Sequence, residues 1–356
     1  MASIREVAQQ AGVSPATVSR AFATPEMINE QTHQRILEVA RRLNYRPPRL
    51  REGRPAIGFS RGTTPLPNAI GFQFFSATNE PGDTLGANTF YAPVLSGAQA
   101  EASALGLHLL VHSTNRHALS QGIPRMVQEQ AIGGLLLVGT ADPEVVQALA
   151  LHVRHIVLVD NRDDNGSFEC VLSDGIGGAY AATRHLLDLG HRRIAFLQEG
   201  SGVSSFQDRV RGFVCALFEA GIVPSQDQLL GGSENTNERV AQLTQVLRSP
   251  DRPTAIVACN DANALIALRV CRDLGLHVPG DVSLVGFDDT EMSRHGVPTL
   301  TTVRVDKEFM GRLAVRRLHA HLQEPATKET LRPVCHVQPV TLSVRESSAP
   351  PPSATS

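Results

Sequence analysis

The sequence predicts an N-terminal all-α headpiece followed by an α/β body of two lobes with parallel sheets. Residues 1–47 carry three short helical patterns, and from residue 68 onward continuous apolar runs alternate with helical stretches. Apolar runs separated by helices are typical of parallel strands that are covered on both faces. The alternating region spans roughly 280 residues, more than a single lobe of this kind usually holds, so we expect two lobes.

The composition is that of an ordinary globular protein. Of the 356 residues, 42% are hydrophobic and 19% are charged, which excludes a disordered chain. The longest apolar run, residues 132–138, is far shorter than the ~18–20 residues of a membrane helix. No apolar signal core follows the first residue, so we expect a cytoplasmic protein without membrane contact. The five cysteines are widely spaced, so we expect reduced thiols and neither a metal nor a cofactor.

Charge is distributed unevenly along the chain. The net charge of −2 combines +4 in residues 1–54 with −6 in the remainder. A small basic head on a larger acidic body indicates a module that binds a polyanion, joined to a second function.

Capping residues divide the headpiece into three helices. A capping box opens the first helix at Ser3, and Gly12 ends it because a tight turn needs a positive φ. Ser14 caps the second helix, with Pro15 in its first turn, where the missing N–H costs nothing. Asn29 caps the third helix.

Two short helices joined by a glycine turn, with small polar residues and an arginine on the second, fit a helix-turn-helix. Arg20 can bond guanine through O6 and N7, while hydroxyl groups and helix N-termini suit phosphate oxygens. The alternative is a small helical subdomain whose arginine is only solvated. The candidate DNA-binding residues are Ser14, Pro15, Ala16, Thr17, Ser19, Arg20, Asn29, Thr32, Tyr45, Arg49 and Arg51.

The predicted boundaries follow changes in composition. A headpiece over residues 1–47 precedes a basic hinge or linker over 48–67, which is rich in Pro, Gly and Arg. The body spans 68–345, and a Pro/Ser/Ala-rich tail over 346–356 is predicted to be disordered. Within the body, strands are predicted at 70–75, 107–112, 134–138, 156–159, 194–197, 255–258 and 282–286, and helices at 91–105, 175–189, 209–220 and 262–274.

Polar side chains follow several of the predicted strands. Asp160, Asn260 and Asp288 each come directly after a strand, and Arg209 lies at a predicted loop-to-helix junction. Open α/β sheets bind ligands at the carboxyl ends of their strands. Because Asp accepts, Arg donates and Asn does both, this set suits a ligand rich in hydroxyl groups. The alternative for a single Asp after a strand is a helix N-cap.

The neighbouring carboxylates Asp261 and Asp289 are interpreted differently. Adjacent side chains point apart, so we expect these two to cap a helix or to support the site from outside it.

Four stretches of the chain are similar to one known family. Residues 7–20 read VAQQAGVSPATVSR, residues 43–47 LNYRP, residues 284–290 LVGFDDT and residues 298–303 PTLTTV. Together they resemble the lactose-repressor (LacI/GalR) family of bacterial transcriptional regulators, from residue 2 to about residue 345. The resemblance implies a helix-turn-helix headpiece on a periplasmic-binding-protein-like body, which binds operator DNA as a dimer and answers to a small ligand, often a sugar or a nucleobase.

The resemblance also implies roles for individual residues. It places Asp160, Arg209, Asn260 and Asp288 on ligand-contacting positions and Phe90 and Tyr91 on an aromatic pair of the first lobe. Core packing is the alternative for Phe90. Lys307 stands where relatives often carry an aromatic residue; a cation there favours an anionic ligand, but we expect a solvated lysine.

Two positions depart from the family pattern. Ala23 replaces a usual asparagine and cannot donate to a phosphate. Residues 48–54 read PRLREGR where relatives fold a hinge helix with a leucine that wedges into the minor groove. The sequence leaves open whether a hinge helix forms; the alternative is that Arg49, Arg51 and Arg54 follow phosphates or a narrow groove.

We interpret the chain as a ligand-responsive, sequence-specific DNA-binding regulator, a homodimeric repressor of carbohydrate-related genes. Its expected partners are double-stranded operator DNA and a sugar or related polyol. It is not expected to be an enzyme, because no nucleophile elbow or metal-binding spacing is found. The alternatives are a sugar-processing enzyme or a sugar-binding transport component that carries an appended helical domain.

Overall fold

A computed structural model describes residues 4–23, 29–43, 68–76, 85–86, 88–115, 123–163, 165–200, 204–233, 235–323 and 333–352. The chain divides into two compact units, Met1–Gly62 and Thr63–Ser356, called here the headpiece unit and the body. The division falls inside the predicted linker 48–67, and that linker lies outside the described residues.

The headpiece unit contains the three predicted helices. They are α1 (Ile4–Ala11), α2 (Pro15–Ala23) and α3 (Glu30–Arg42). Their apolar faces meet in a small core in which Val7, Val18 and Ile36 are fully buried. The α1–α2 turn and the small core between the three helices give the helix-turn-helix arrangement that the spacing predicts.

Local chemistry sets the helix ends of this unit. Gly12, directly after α1, has φ +63°, a conformation that side chains with a Cβ rarely adopt. The Ser14 hydroxyl accepts a hydrogen bond from the Thr17 backbone N–H at 3.1 Å, and the Asn29 side chain accepts one from the Gln31 N–H at 3.0 Å. Both predicted N-caps are therefore confirmed, while Ser3 lies outside the described residues.

The body contains two six-stranded sheets. The strands are β1 (Ala69–Ser76), β2 (His108–Asn115), β3 (Gly134–Gly139), β4 (Ile156–Val159), β5 (Glu169–Ser173), β6 (Ile194–Gln198), β7 (Leu229–Gly231), β8 (Ala255–Ala258), β9 (Ser283–Asp288), β10 (Thr301–Arg304), β11 (Cys335–Gln338) and β12 (Thr341–Ser343). The helices are α4 (Tyr91–Ala104), α5 (Arg125–Gln128), α6 (Pro143–Ala150), α7 (Gly175–Asp188), α8 (Ser204–Glu219), α9 (Thr236–Leu247), α10 (Asp261–Asp273), α11 (Glu291–His295) and α12 (Lys307–Gln323).

Each sheet belongs to one lobe. The first has the order β11-β5-β4-β3-β1-β2 and is parallel throughout, while the second has the order β12-β10-β9-β8-β6-β7. The prediction of two lobes with parallel sheets is confirmed, with one exception, because β12 runs antiparallel to β10.

Helices cover both faces of each sheet, as the continuous apolar strands require. One large core includes side chains of α4 and α12 from the first lobe and of α7 and α8 from the second. Two further clusters fill the opposite faces beneath α5 and α6 and beneath α9 and α10. Within the described part of the chain, no helix combines the length and the apolar character that a membrane crossing requires.

In the described part of the body, three chain segments connect the two lobes, and they are hydrogen-bonded to one another. The first follows β5, the second follows β10, and the third joins β11 to β12. Gln338 accepts a hydrogen bond from the Asp174 N–H through its carbonyl oxygen at 2.9 Å. Its buried side chain donates to the Asp306 carbonyl oxygen, also at 2.9 Å. Gln338 therefore ties all three connections together at the hinge between the lobes.

The predicted disorder of the tail 346–356 is wrong for residues 346–352. Ser347 is 1% exposed; its hydroxyl donates to the Leu284 carbonyl oxygen at 2.6 Å and accepts from the Thr301 N–H at 2.8 Å. Ala349 bonds the Ser283 hydroxyl. A composition rich in Pro and Ser disfavours regular helices and strands, but it does not prevent a segment from pairing with polar groups at the amino ends of β9 and β10. Residues 353–356 lie outside the described range.

Candidate ligand site between the two sheets

Polar residues from both sheets meet at the carboxyl ends of the strands. Asp160 follows β4 in the first lobe, and Asp288 ends β9 in the second. The carboxylate of Asp160 acts electrostatically on Asp288, and both act on Tyr91 at the start of α4. The structure therefore brings together the two lobes' strand-end carboxylates, at the place where open α/β sheets bind ligands.

In the first lobe, Tyr91 and Asp160 form a buried pair. The Tyr91 hydroxyl donates to Asp160 Oδ2 at 2.7 Å. Asp160 is 6% exposed, and its other oxygen, Oδ1, is buried without a hydrogen-bond partner among the described residues. Burial raises the pKa of Asp160 above its usual range, and burial together with the Asp160 charge raises the pKa of Tyr91. Tyr91 therefore keeps its proton and remains a donor at neutral pH.

Phe90 lies beside this pair as part of the core. Its ring meets that of Tyr91 edge-on at a centroid distance of 4.9 Å, and Tyr91 also contacts Phe74 at 5.0 Å. Phe90 is buried and belongs to the large core that spans both lobes. Core packing therefore explains the position of Phe90 as well as the alternative does, in which its ring stacks on a ligand.

In the second lobe, Arg209 and Asp288 form a buried ion pair. Arg209 is 2% exposed, its Nη2 lies 3.3 Å from Asp288 Oδ1, and its Nη1 donates to the Cys259 carbonyl oxygen. The guanidinium also stacks 3.8 Å from the centroid of the Phe287 ring. The ion-pair contact is too poorly aligned to be a hydrogen bond, so Asp288 Oδ1 and Arg209 Nε are buried polar atoms without such a partner in the described chain.

The predicted position of Arg209 at a loop-to-helix junction is wrong. Helix α8 begins at Ser204, so Arg209 lies in its second turn. Residues 204–208 are polar except for Phe206 and resemble a loop in the sequence, but Ser and Asp are favoured near helix N-termini, where they satisfy free N–H groups and the helix dipole.

Burial dominates the electrostatics of Asp288. It raises the pKa of Asp288 to about 7, and the nearby Arg209 opposes that rise. The backbone is unusual at each strand-end carboxylate, with φ of +54° at Asp160, +107° at Asp288 and +51° at Asp289. Such left-handed conformations are energetically unfavourable for residues with a Cβ and cluster at functional sites.

The raised pKa of Asp288 predicts a pH dependence of stability. Below its ordinary pKa of 3.8 the carboxyl is protonated in both states, and as the pH rises towards 7 the unfolded chain loses this proton first. The raised pKa of Asp288 therefore stabilises the folded state fully below pH ~4, and this stabilisation is lost as the pH rises through ~7. Asparagine does not titrate, so we expect Asp288→Asn to remove this pH dependence. The free energy of unfolding of the variant relative to wild type should then increase between pH 4 and pH 8.

Urea denaturation at pH 5 and pH 8 measures this difference. The exposed Asp188→Asn serves as the control and should leave the wild-type slope intact. A stability difference between Asp288→Asn and wild type that is the same at both pH values contradicts the expectation.

Asn260 caps a helix in this structure. Its Oδ1 accepts from the Asn263 N–H at 2.9 Å at the start of α10, and its Nδ2 donates to Glu199 Oε2 at 3.0 Å. The Asn263 side chain donates to the same Glu199 oxygen, also at 3.0 Å. Glu199 was not singled out in the sequence, although it directly follows β6 in the same way that Asp160 follows β4.

Lys307 is not the solvated lysine that the sequence suggests. It is half-buried at the first position of α12, where its Nζ donates to the backbone carbonyl oxygens of Asp288 and, at 3.3 Å, Asp289. The Nζ also lies 6.0 Å from the Phe90 ring centroid. Burial lowers the pKa of Lys307, and the neighbouring carboxylates oppose this. Lys307 satisfies the carbonyl groups of the strained turn at the end of β9.

Asp261 and Asp289 have protein partners, which fits the expectation that they support the site from outside it. Asp261 is fully buried and accepts from the Thr290 N–H at 2.7 Å, the Thr290 hydroxyl at 3.0 Å and the Thr302 hydroxyl at 2.5 Å. Asp289 pairs with Arg294 at 2.8 Å and with Arg345 at 2.5 Å. Both carboxylates therefore have protein partners that account for them.

Two buried hydroxyl groups were missed by sequence reasoning. Ser173 ends β5 and Ser205 lies in the first turn of α8. The Oγ atoms of both are buried without a hydrogen-bond partner among the described residues. Serine is too common after strands and at helix starts to be singled out from sequence.

The candidate DNA-binding residues are described only in part. Ser14 and Pro15 are exposed at the start of α2, and Thr17 is partly exposed one turn on. Asn29 is exposed before α3, and Thr32 is partly exposed within it. Ala16, Ser19 and Arg20 lie on α2, but the structure does not describe their side chains. Tyr45, Arg49, Arg51 and Arg54 lie outside the described residues altogether.

Two family models match the chain. Residues 3–48 match "Bacterial regulatory proteins, lacI family", and residues 183–348 match "Periplasmic binding protein-like domain". The first match covers the three headpiece helices. The second covers Arg209, Asn260 and Asp288 and therefore the second-lobe half of the candidate site.

Similar proteins extend over nearly the whole chain. The "HTH-type transcriptional repressor PurR" of Photobacterium profundum is 28% identical over 91% of this chain and 93% of its own length. A structure of a "transcriptional regulator CelR-cellobiose complex" has a TM-score of 0.72 at 27% identity, covering 98% of this chain and 100% of the other. The lac repressor dimer bound to operator has a TM-score of 0.65 at 25% identity, covering 98% and 99%.

Proposed function

Because this chain belongs to the lacI family of bacterial regulatory proteins, we propose that it is a homodimeric, cytoplasmic transcriptional repressor whose operator affinity responds to a hydroxyl-rich small molecule. The headpiece binds double-stranded operator DNA, and the cleft between the two sheets binds a sugar or related polyol. The genes under its control are then related to carbohydrate use.

Buried polar atoms that lack hydrogen bonds, at the strand ends of both lobes, carry the effector assignment. Asp160 Oδ1 in the first lobe and Arg209 Nε in the second have no hydrogen-bond partner in the described chain, and Asp288 Oδ1 has only its ion-pair contact with Arg209. A buried polar group left unpaired costs about 1–3 kcal/mol. Hydroxyl groups both donate and accept, so a polyol can pair with carboxylate and guanidinium alike. The cellobiose complex of the similar regulator supports this choice.

Ligand binding across the cleft couples the lobes to operator binding. A molecule that bonds Asp160 and Asp288 at once favours one relative position of the lobes, and Gln338 joins the three segments about which they move. Such coupling between two sites is typically ~1–3 kcal/mol. Whether the effector weakens or strengthens operator binding depends only on which state it prefers.

The test is a thermal-shift panel on the purified full-length chain, followed by operator binding with each hit. The panel contains mono- and disaccharides including cellobiose, sugar phosphates, polyols and nucleobases. A sugar or polyol that raises Tm and changes operator affinity supports the proposal. A response to nucleobases alone, or no response to any polyol, overturns the effector class. Turnover of a hit favours the sugar-processing enzyme instead.

The headpiece proposal predicts a specificity change in Arg20→Ala. Arg20 is the one cationic residue in the sequence of α2, and a bidentate arginine–guanine contact supplies ~1–3 kcal/mol of discrimination. We expect the variant to lose that much operator affinity and to tolerate any base at one position per half-site.

The measurement is binding to an operator selected from random DNA and to its single-base variants. Arg35→Ala, an exposed arginine on α3, is the matched control for loss of charge. If Arg20→Ala loses the same factor of affinity for operator and for random DNA, Arg20 contacts a phosphate and does not distinguish bases.

A further inference from the structure

Two of the five cysteines lie side by side on neighbouring strands of the first lobe. Cys335 opens the edge strand β11 and is the direct register partner of Cys170 on β5. Register partners on parallel strands share one face of the sheet, so the two thiols project on the same side from neighbouring strands. Neighbouring strands lie about 4.7–4.9 Å apart, within the Cα separation of about 4.4–6.8 Å that a disulfide spans.

An ion pair on the opposite face keeps the two strands aligned. Glu169 precedes Cys170, and its Oε1 lies 2.6 Å from His336 Nε2, which follows Cys335. Glu169 also pairs with Arg317 and, at 2.5 Å, with His321 on α12. The carboxylate therefore holds β11 against β5, and the two sulfur atoms remain opposite each other.

The two thiols differ in their access to solvent. Cys335 is exposed, whereas Cys170 is 3% exposed. Burial and the neighbouring Cys335 raise the pKa of Cys170, so Cys170 is a poor first nucleophile. An oxidant from solvent therefore meets Cys335 first, with Cys170 already positioned as the second thiol. The exposed Cys215 lies on helix α8 of the second lobe and not on either of these strands.

We propose that Cys335 and Cys170 form a peroxide-oxidised dithiol site whose disulfide joins the edge strand β11 covalently to β5. The Cys335 thiolate attacks hydrogen peroxide, which breaks the O–O bond and leaves a sulfenic acid and hydroxide, and the hydroxide takes up a proton to give water. The Cys170 sulfur then attacks the sulfenic sulfur, and the displaced hydroxide takes the Cys170 proton to give a second water. Two thiols are oxidised and one peroxide is reduced.

The position of this site connects it to the hinge. Both strands run from the cysteines to the lobe connections, where the Asp174 N–H bonds the Gln338 carbonyl oxygen. In the described chain β11 has β5 as its single sheet neighbour, so only hydrogen bonds and the Glu169 ion pairs hold it in place. A covalent bond at its first residue removes the freedom of β11 to move relative to β5 when the lobes move.

The experiment treats the reduced full-length protein with stoichiometric hydrogen peroxide and measures its intact mass without reductant. We expect a loss of about 2 Da, the mass of the two hydrogens removed in forming one disulfide. Titratable thiols of the denatured protein should fall from five to three, and dithiothreitol should restore them. Peptide mapping should recover one cross-linked species that contains residues 170 and 335.

Three variants make the result specific. Cys335→Ser should abolish the mass loss, and Cys170→Ala should leave a sulfenic acid at Cys335 that dimedone traps. Cys215→Ser, the exposed control, should oxidise as the wild type does. Because the mass and peptide measurements use wild-type protein, they stand even if a Cys170 variant fails to fold. A disulfide between two chains, or oxygen addition at Cys335 without the 2 Da loss, would overturn the proposal.

Discussion

Arg209→Met should abolish the effector response and lower the free energy of unfolding by about 3–5 kcal/mol, the usual effect of removing one partner of a buried ion pair. The guanidinium is 2% exposed, pairs with Asp288 and stacks on Phe287. Methionine preserves much of the volume, so the loss reports the charge and its hydrogen bonds rather than a cavity. Asp288 can take up a proton because its pKa is about 7, so the loss should be smaller at pH 5 than at pH 8.

Denaturation at both pH values and operator binding with a hit from the sugar panel measure the two effects. Arg211→Met is the matched control, since Arg211 lies on the same helix, is half-exposed and pairs with Asp208. We expect it to change stability by less than about 1 kcal/mol. A folded Arg209→Met protein that responds fully to effector would show that the binding site lies elsewhere.

Asp261→Ala should destabilise the protein by at least about 3 kcal/mol without altering the effector specificity of the molecules that remain folded. The variant leaves the Thr290 N–H and the hydroxyl groups of Thr290 and Thr302 unpaired in a fully buried position. Each unpaired buried donor contributes about 1–3 kcal/mol to the loss.

The Asp261→Ala variant tests whether Asp261 supports the site from outside it or contacts the ligand. Chemical denaturation gives the stability, and the sugar panel gives the rank order of ligands. Asp188→Ala, which removes an exposed carboxylate paired with Arg184, should change stability by no more than about 0.5 kcal/mol. A changed rank order in Asp261→Ala would place Asp261 in the ligand site itself.

Much of the fold could be predicted because its determinants are local. The caps at Ser14 and Asn29 act on N–H groups two or three residues away, so they can be identified from sequence. Strand β4 and strand β8 were predicted with their observed ends, because a continuous apolar run bounded by polar residues marks a buried parallel strand. The start of α8 was missed because its first turn is polar except for Phe206.

The candidate site could be predicted only as a set of strand-end residues. Asp160 and Asp288 were identified by their position after a strand, as was Asn260, but the structure treats them differently. Each of the two carboxylates keeps a buried oxygen without a hydrogen bond, whereas Asn260 caps a helix and also bonds Glu199. Sequence position cannot distinguish these outcomes, because the partners come from other strands and helices.

By itself, the sequence determined the helix-turn-helix headpiece, the alternating α/β body and the strand ends at which polar residues gather. Periodicity and capping depend on neighbours within a few residues, and those neighbours are visible in the sequence. Only the tertiary structure decided that Ser347 in the supposed tail bonds Leu284, that Gln338 joins the three hinge segments, and that Cys335 lies against Cys170. Each of these contacts joins residues far apart in the chain, and a buried polar group is satisfied or left unpaired only by what packing brings next to it.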